Sequence, residues 1–379
     1  MDVQTADGTE GVSGEFAALA QDVYAGDPRW IPEEAAVLAA FFSASNPLLS
    51  RMRVRTWCVP GRSRLAAFVS DGLEVDGARA AFFGFWESAG DAAADAALFD
   101  AAASWARDAG AAVLYGPVDG STFGNYRLVL GGGGDWLPFP GEPYNPPEYP
   151  ERLERLGFEA FRHYHTRYAS FDDVGPLAEV MVEPAARARD AGYRVLPITE
   201  ELWLERLPEL HAAADATFGH AFAYTPLSFD EFAAVCGASF VAKMCPHTSM
   251  IGVDADGALA GFQLSYADFG PIAVAGAGDD RVPVSQLEHR SAFPLLTAKL
   301  GKELPAAIPK TTGVLPGHRK AGVMALVGLE IWRGIRERYG SVVYAITDVD
   351  NPVQVLTEDL AGGQRNYALY RRGLEGSRS

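Results

Sequence analysis

The sequence predicts an α/β protein made of two halves laid out on one plan. Three observations carry this. A length of 379 residues exceeds what one hydrophobic core ordinarily serves. Hydrophobic and charged fractions of 48% and 21% are those of a globular chain. The same order of helices, strands, long helix and strand reads once from residue 14 and again from residue 193.

In the first half, residues 14–24 have helical spacing (Phe16, Leu19, Val23) and break at Gly26-Asp27-Pro28; a second helical stretch covers 33–42. Strand-like runs follow at 51–59, 64–70 and 78–86, bounded by Gly, Pro or Asp. Asp91 is placed to cap an alanine-rich helix reaching 109, and 111–115 is the next strand. A Gly- and Pro-rich irregular connection then runs over 118–149, long enough to imply a functional loop or a linker. A helix at 148–156, a strand at 160–170 and a connecting helix at 176–191 close this half.

The second half gives a strand at 193–198, helices at 200–214 and 228–235, and a strand pair at 249–253 and 259–267. A strand at 308–315, a long helix at 319–338, a strand at 342–347, a helix at 352–360 and a strand at 366–371 complete it. The expected division is 1–170, a connecting segment 171–192, and 193–379.

Composition narrows the chemistry. The apolar runs at 65–69 and 80–86 fall far short of the ~18 residues of a membrane span. Residues 1–14 are acidic and polar, predicting a loose tail without a secretory signal and hence a cytoplasmic protein. Cys58, Cys236 and Cys245 lack C-x-x-C spacing and predict buried reduced thiols. A formal charge of −17 opposes nucleic-acid binding as the main use of the surface. His163-x-His165 has no third ligand nearby, so no metal is assigned.

The segment Thr312 to Met324 joins a strand to a long helix. Unpaired first-turn amides and the helix dipole favour a pyrophosphate there; Arg319 and Lys320 add charge, and Gly322 allows close backbone approach. This stretch resembles the acyl-CoA motif of the GNAT (GCN5-related N-acyltransferase) superfamily, with Arg319 and Gly322 at its defining positions. Asp350-Asn351 resembles the next motif. The first half resembles bacterial tandem GNAT-like proteins through Tyr24, Gly26-Asp27-Pro28-x-Trp30-x-Pro32, Phe82-Phe83-Gly84-Phe85, Tyr115-Gly116-Pro117 and Pro143-Tyr144-Asn145-Pro146-Pro147.

The resemblance implies two tandem domains, each a mixed, mostly antiparallel sheet flanked by helices. It implies an acetyl-CoA or related acyl-CoA donor held by Thr312, Gly313, Val314, Leu315, Arg319, Lys320, Ala321, Gly322, Val323, Met324 and Asn351, and a small-molecule amine as acceptor. Two positions depart from the pattern: Met324 replaces the motif's last Gly/Ala, and Glu358 stands where many members have a proton-donating Tyr. In the first half, Glu87 to Asp91 lack a cation and end in a helix-capping carboxylate that repels pyrophosphate. One donor site is expected, in the second half.

Tyr266, Asp268, Tyr344 and Asp348, at strand ends beside that loop, are the candidates for proton transfer; core tyrosines and turn-capping aspartates are the competing account. Tyr144 and Asn145 are candidates for lining the acceptor pocket, against simple stiff packing of the Pro-rich loop. Two alternatives stay open. Arg51, Arg53 and Arg55 alternate along one strand face and would suit an aminoacyl-tRNA donor, or merely solvate that face. A catalytically degenerate small-molecule-binding module would explain Met324 and Glu358.

Overall fold

The computed structural model describes residues 2–351, 357, 360 and 362–374. The strands of the first half are β1 (Gln4–Asp7), β2 (Met52–Val59), β3 (Ser63–Ser70), β4 (Glu74–Val75), β5 (Ala78–Ser88), β6 (Val113–Gly116), β7 (Leu128–Gly132) and β8 (Glu159–Ser170). Those of the second are β9 (Arg194–Pro197), β10 (Met250–Val253), β11 (Leu259–Ala267), β12 (Ala306–Val314), β13 (Ser341–Asp348) and β14 (Gln364–Gly373). Helices α1 (Gly14–Val23), α2 (Ala35–Phe41), α3 (Ala92–Asp108) and α4 (Tyr149–Arg155) belong to the first half, and α5 (Phe171–Asp190) connects to the second. There follow α6 (Glu200–Glu205), α7 (Leu207–Phe218), α8 (Phe229–Cys236), α9 (Ala238–Val241), α10 (Gly270–Ala273), α11 (His289–Leu300) and α12 (Val323–Arg338).

Period-two alternation explains how each strand serves two cores. Along β3, Leu65, Ala67 and Val69 join Phe83, Leu98 and Phe99 under α3, while Ala66 and Phe68 join Phe16, Leu38 and Phe42 under α1 and α2. In the second half Ala267 of β11 joins Val327 and Ile331 in the core beneath α12, whereas Phe262 and Leu264 meet Trp203, Leu210 and Phe232 on the α6–α9 side.

The strands form one continuous sheet in the order β1-β2-β3-β5-β6-β14-β8-β13-β12-β11-β10-β9. Its centre is an exchange. Strand β14, from the end of the chain, lies between β6 and β8, and β8 pairs on its other edge with β13. Periodicity finds strands, and nothing in it names the neighbour, so this order is absent from the sequence reading.

Other differences have local causes. Residues expected as a loose tail include β1, an edge strand pairing Gln4–Asp7 with β2; its polar residues carry no apolar alternation. The irregular connection contains β7, laid on β14 through Gly131 and Gly132. The helix after β12 starts at Val323 rather than 319, behind a 3₁₀ turn at Pro316–His318. The helix expected over 352–360, and Glu358 with it, falls outside the fully described residues. All three cysteines are free and buried.

The exchange is locked by a buried ion pair. Arg365 of β14 meets Glu142 at 2.8 Å, the side chains being 6% and 0% exposed. Arg365 also donates to the Trp136 carbonyl, and the Tyr367 hydroxyl donates to Glu142. Glu142→Ala strands a buried guanidinium, and a loss of about 3–5 kcal/mol in urea unfolding is expected. A loss below about 1 kcal/mol would show that this pair does not hold the exchanged strand.

Candidate functional site

The sheet splits between β12 and β13. These parallel strands pair only at Ala306–Ser341 and Ala307–Val342, and beyond that point the β13-facing edge of β12 leaves the ladder. On its other edge β12 stays with β11, but Ser265 faces Pro309 and Leu264 faces Thr311, leaving Lys310 unpaired in a bulge. A bulge re-aims the backbone, here at the mouth of the split.

At the C-terminal end of β12 lies the predicted donor loop. Thr312 is exposed, Gly313 is buried beneath Phe262 and Thr217, and the Leu315 amide bonds the Ala260 carbonyl. Arg319 and Lys320 are exposed, and among the described residues no side chain caps α12. His318 Nδ1 is 2.9 Å from the Tyr193 hydroxyl, which ties the loop to the start of β9. Ala321, Val323 and Met324 continue into the helix, with Val323 buried. Gly322 has φ +78°, and a Cβ there would run into the Pro184 carbonyl of α5. Its glycine therefore serves helix–helix approach, whatever the loop binds. Asn351 turns back beyond β13, its amide 3.0 Å from the Asp348 carbonyl oxygen.

The first half contains the same split in closed form. Strands β5 and β6 pair over Ala80–Phe82 and then part, and β5 bulges where Phe85 takes φ +52°. Here the gap is filled by its own chain. The Val118 amide bonds the Phe83 carbonyl at 2.7 Å, and the Phe85 amide donates to Asp119 Oδ1 at 2.8 Å. Gly84 admits this segment because any Cβ would strike the Val118 carbonyl. Asp91 caps α3 through the amides of Ala93 and Ala94, as its position in the sequence predicts. Among the described residues no such plug fills the second split.

One face of the open split is roofed by the first half. Residues 133–142 cross it as a strap: Trp136 lies against Tyr168 at a tilt with ring centres 3.3 Å apart, Phe139 packs with Ile308, Val343 and Ala345, and Phe139 lies 5.8 Å from Lys310 Nζ. The roof puts residues of both halves in one place.

Register locates the four proton-transfer candidates. Tyr266 pairs with Ile308 and so points to the strap side, and two residues on, Asp268 does the same. Burial raises the Tyr266 hydroxyl well above its ordinary value; burial, with Glu142 adding, pushes Asp268 up to about 6. Tyr344 follows Val343 and faces the other way, into the α12 core, where burial pushes it up to about 12. Asp348 is farther along, ion-paired with Arg162 at 3.1 Å. The structure thus puts Tyr266 and Asp268 on one face of the sheet, Tyr266 against the α6–α9 core and Asp268 beside Gly270 and the strap, with Tyr344 on the opposite face and Asp348 paired elsewhere.

Lys310 carries no sequence signal, because its position depends on a bulge visible only in the register. Crowding by protein pushes its amine down to about 8, with Arg127 adding to this, although solvent still reaches the side chain. Tyr144 and Asn145 lie away from the split. The Tyr144 hydroxyl donates to Asp27 at 2.6 Å, and Asn145 brackets Val129 through the amide and carbonyl of that residue. Arg51 is held by Glu231 at 2.7 Å, Arg53 donates to the Ala109 carbonyl and Arg55 lies over Trp105. No group of three or more His, Cys, Asp or Glu among the described residues is arranged to hold a metal. No helix among them is long and apolar enough to cross a membrane.

No family model matches the sequence. A 225-residue stretch is 21% identical to Protein YghO of Escherichia coli strain K12, covering 58% of this chain and 56% of that one. The chain thus matches little more than half the length of this relative. Solved structures agree over nearly the whole chain. A tandem GNAT protein from the clavulanic acid biosynthesis pathway matches with a TM-score of 0.52 at 15% identity, over 99% of this chain and 100% of that one. A probable N-acyltransferase from Enterococcus faecalis V583 matches with a TM-score of 0.52 at 12% identity, over 99% and 73%.

The plug has a pH signature. Burial pushes Asp119 up to about 7, above the ~4 of an unfolded Asp, so between those values the folded state holds a proton that the unfolded state has lost. This contribution is present in full at acid pH and is lost as pH rises toward 7. Asp119→Asn should flatten the stability–pH curve between pH 4 and 7 by up to about 1.4 kcal/mol per unit. Superimposable urea-derived curves for the two proteins would rule the assignment out.

Proposed function

From a tandem GNAT fold with one split closed and the other open, we propose that the protein is an N-acyltransferase. It takes an acyl group from acetyl-CoA or a related acyl-CoA and passes it to the amine of a small, amino-acid-like acceptor. The contrast between the halves supports this reading: the first half fills its bulge amide with Asp119 and its helix N-terminus with Asp91, and among the described residues no side chain does so in the second.

In this reading the amides of residues 319–324, with Arg319 and Lys320, hold the donor's diphosphate. Residues Thr312 to Leu315 line its pantetheine arm, and Asn351 closes the far side. The bulge at Lys310 directs main-chain amide toward the carbonyl oxygen that gains charge as the amine attacks. The C–N bond forms, the C–S bond breaks, and two protons must be managed. Asp268, pushed up to about 6, is suited to take the amine's proton near neutral pH. Tyr266, kept protonated by its burial, is placed on the same side to supply the leaving thiolate. Tyr344 and Asp348 fall outside this scheme. Of the arginines behind the aminoacyl-tRNA alternative, Arg51 is paired with Glu231, while Arg53 and Arg55 stay exposed without a carboxylate among the described residues.

Charge reversal of the exposed pair tests donor binding without touching the core. Arg319→Glu with Lys320→Glu should weaken CoA binding in calorimetry by at least about tenfold, or ~1.4 kcal/mol, while leaving Tm unchanged. Wild-type protein that gives no heat with CoA would end the proposal. Gly322 is a poorer target, since any side chain there also displaces α5.

A base must be deprotonated to act, so kcat/KM should climb with pH through about 6 and then level off. Asp268→Asn should remove that limb and reduce kcat/KM by about 10²- to 10⁴-fold. A variant that keeps the limb would assign the proton transfer elsewhere.

A further inference from the structure

Two cations on the strap side of the split have no carboxylate within ion-pairing distance among the described residues. Lys310 leaves the β12 bulge beneath Phe139, and the amine is near enough to Gly141 that a Cβ there would approach within 3.3 Å. Arg127 comes from the irregular connection, its amide fixed to the Pro117 carbonyl at 3.0 Å. Its guanidinium lies 3.4 Å from the Tyr126 ring centre and 4.0 Å from that of Tyr164, and it donates to the Tyr126 hydroxyl. Its Nε is buried with no partner among the described residues.

Both face the same side. Along β8, Tyr164 alternates in phase with Tyr168, which lies against the strap and pairs with Val343, a neighbour of Phe139 and Ile308. Arg127 is also close enough for its charge to act on the Lys310 amine.

The acids nearby are already engaged. Glu142 is paired with Arg365 at 2.8 Å, Asp348 with Arg162 at 3.1 Å, and Asp268 Oδ1 accepts the Gly270 amide at 2.9 Å. Arg29 donates to the Gly134 and Trp136 carbonyls and Arg167 to Gln364, whereas the Lys310 amine and the Arg127 Nε have no such acceptor among the described residues. Contact with two tyrosine rings set at 88° to each other fixes the guanidinium in orientation, and a partnerless buried N–H costs about 1–3 kcal/mol until an acceptor such as an oxyanion arrives.

We propose that Lys310 and Arg127 together hold an acidic group, carboxylate or phosphate, carried by the acyl acceptor a few bonds from its amine. This rests on the acyltransferase reading of the same split and adds the class of acceptor: amino acids or phosphorylated amines, in preference to uncharged amines. One cation comes from each half, Arg127 from the irregular connection and Lys310 from the β12 bulge.

Thermal-shift titrations of the full chain with matched pairs test it. Glycine, L-alanine, L-glutamate and L-phenylalanine are compared with their carboxamides, and phosphoethanolamine with ethanolamine. At least one acid should bind tenfold or more tightly than its neutral partner, the pair that responds telling carboxylate from phosphate. Lys310→Met should erase the difference and Lys310→Arg retain it; Arg127→Gln should act as Lys310→Met does. Acids and neutral partners that bind alike, or discrimination that survives Lys310→Met, would overturn the proposal. CoA calorimetry on the same wild-type preparation separates the two claims: acid discrimination without CoA binding removes the donor reading and leaves the anion site standing.

Discussion

Everything in this molecule depends on β14 being hydrogen-bonded between β6 and β8. That insertion makes one sheet of two, because β8 in turn carries β13 on its free edge. It also sets the position of the strap. Glu142 can stay buried only while Arg365, on the inserted strand, neutralises it, and the same arginine holds the Trp136 carbonyl at 2.7 Å. The strap is thereby fastened to the last strand of the chain, over a split that belongs to the other half. Further bonds from Ala275 and Gly276 to the carbonyls of Trp30 and Pro28 fasten the halves at a second place.

Two copies of one plan have reached opposite ends. Both have a bulge and a pair of parallel strands that part after two or three residues, so both leave main-chain groups without a sheet partner. Such groups are costly when buried dry. The first half satisfies them internally with Val118 and Asp119 and neutralises its helix dipole with Asp91, a stable arrangement with no room for a diphosphate. Among the described residues the second has neither device, so its parted edge and uncapped helix rely on solvent or a guest for partners.

How much of this was legible follows from what periodicity can carry. Elements with strong alternation or helical spacing, such as β11, α3 and α12, were placed to within a few residues, and the Asp91 cap was readable because a carboxylate before an alanine-rich run has one obvious use. The exchange was not legible, since β14 reads as a strand whichever neighbour it takes. Lys310 was hidden for a related reason: a one-residue bulge appears only when Ser265 is seen opposite Pro309 and Leu264 opposite Thr311. Tyr344 and Tyr266 were equally plausible as strand-end tyrosines, and only register puts them on opposite faces. Gly322 was readable as special, and its use in packing against Pro184 was not.

A chain with a formal charge of −17 still presents cations to an anionic guest, and distance reconciles the two. Surface carboxylates act through water and salt, where a charge is screened over ~8–10 Å. Lys310 and Arg127 act on such a guest at contact range, where a unit charge counts for more than it does across solvent. The acidic surface slows the approach of any anion without choosing among them. Selection falls to the last few ångströms, where a guest with one acidic group beside its amine meets two fixed positive charges and an uncharged amine meets the same two as repulsion once protonated. A local reversal of sign inside an acidic protein thus discriminates more sharply than a uniformly basic surface, which would attract every anion alike.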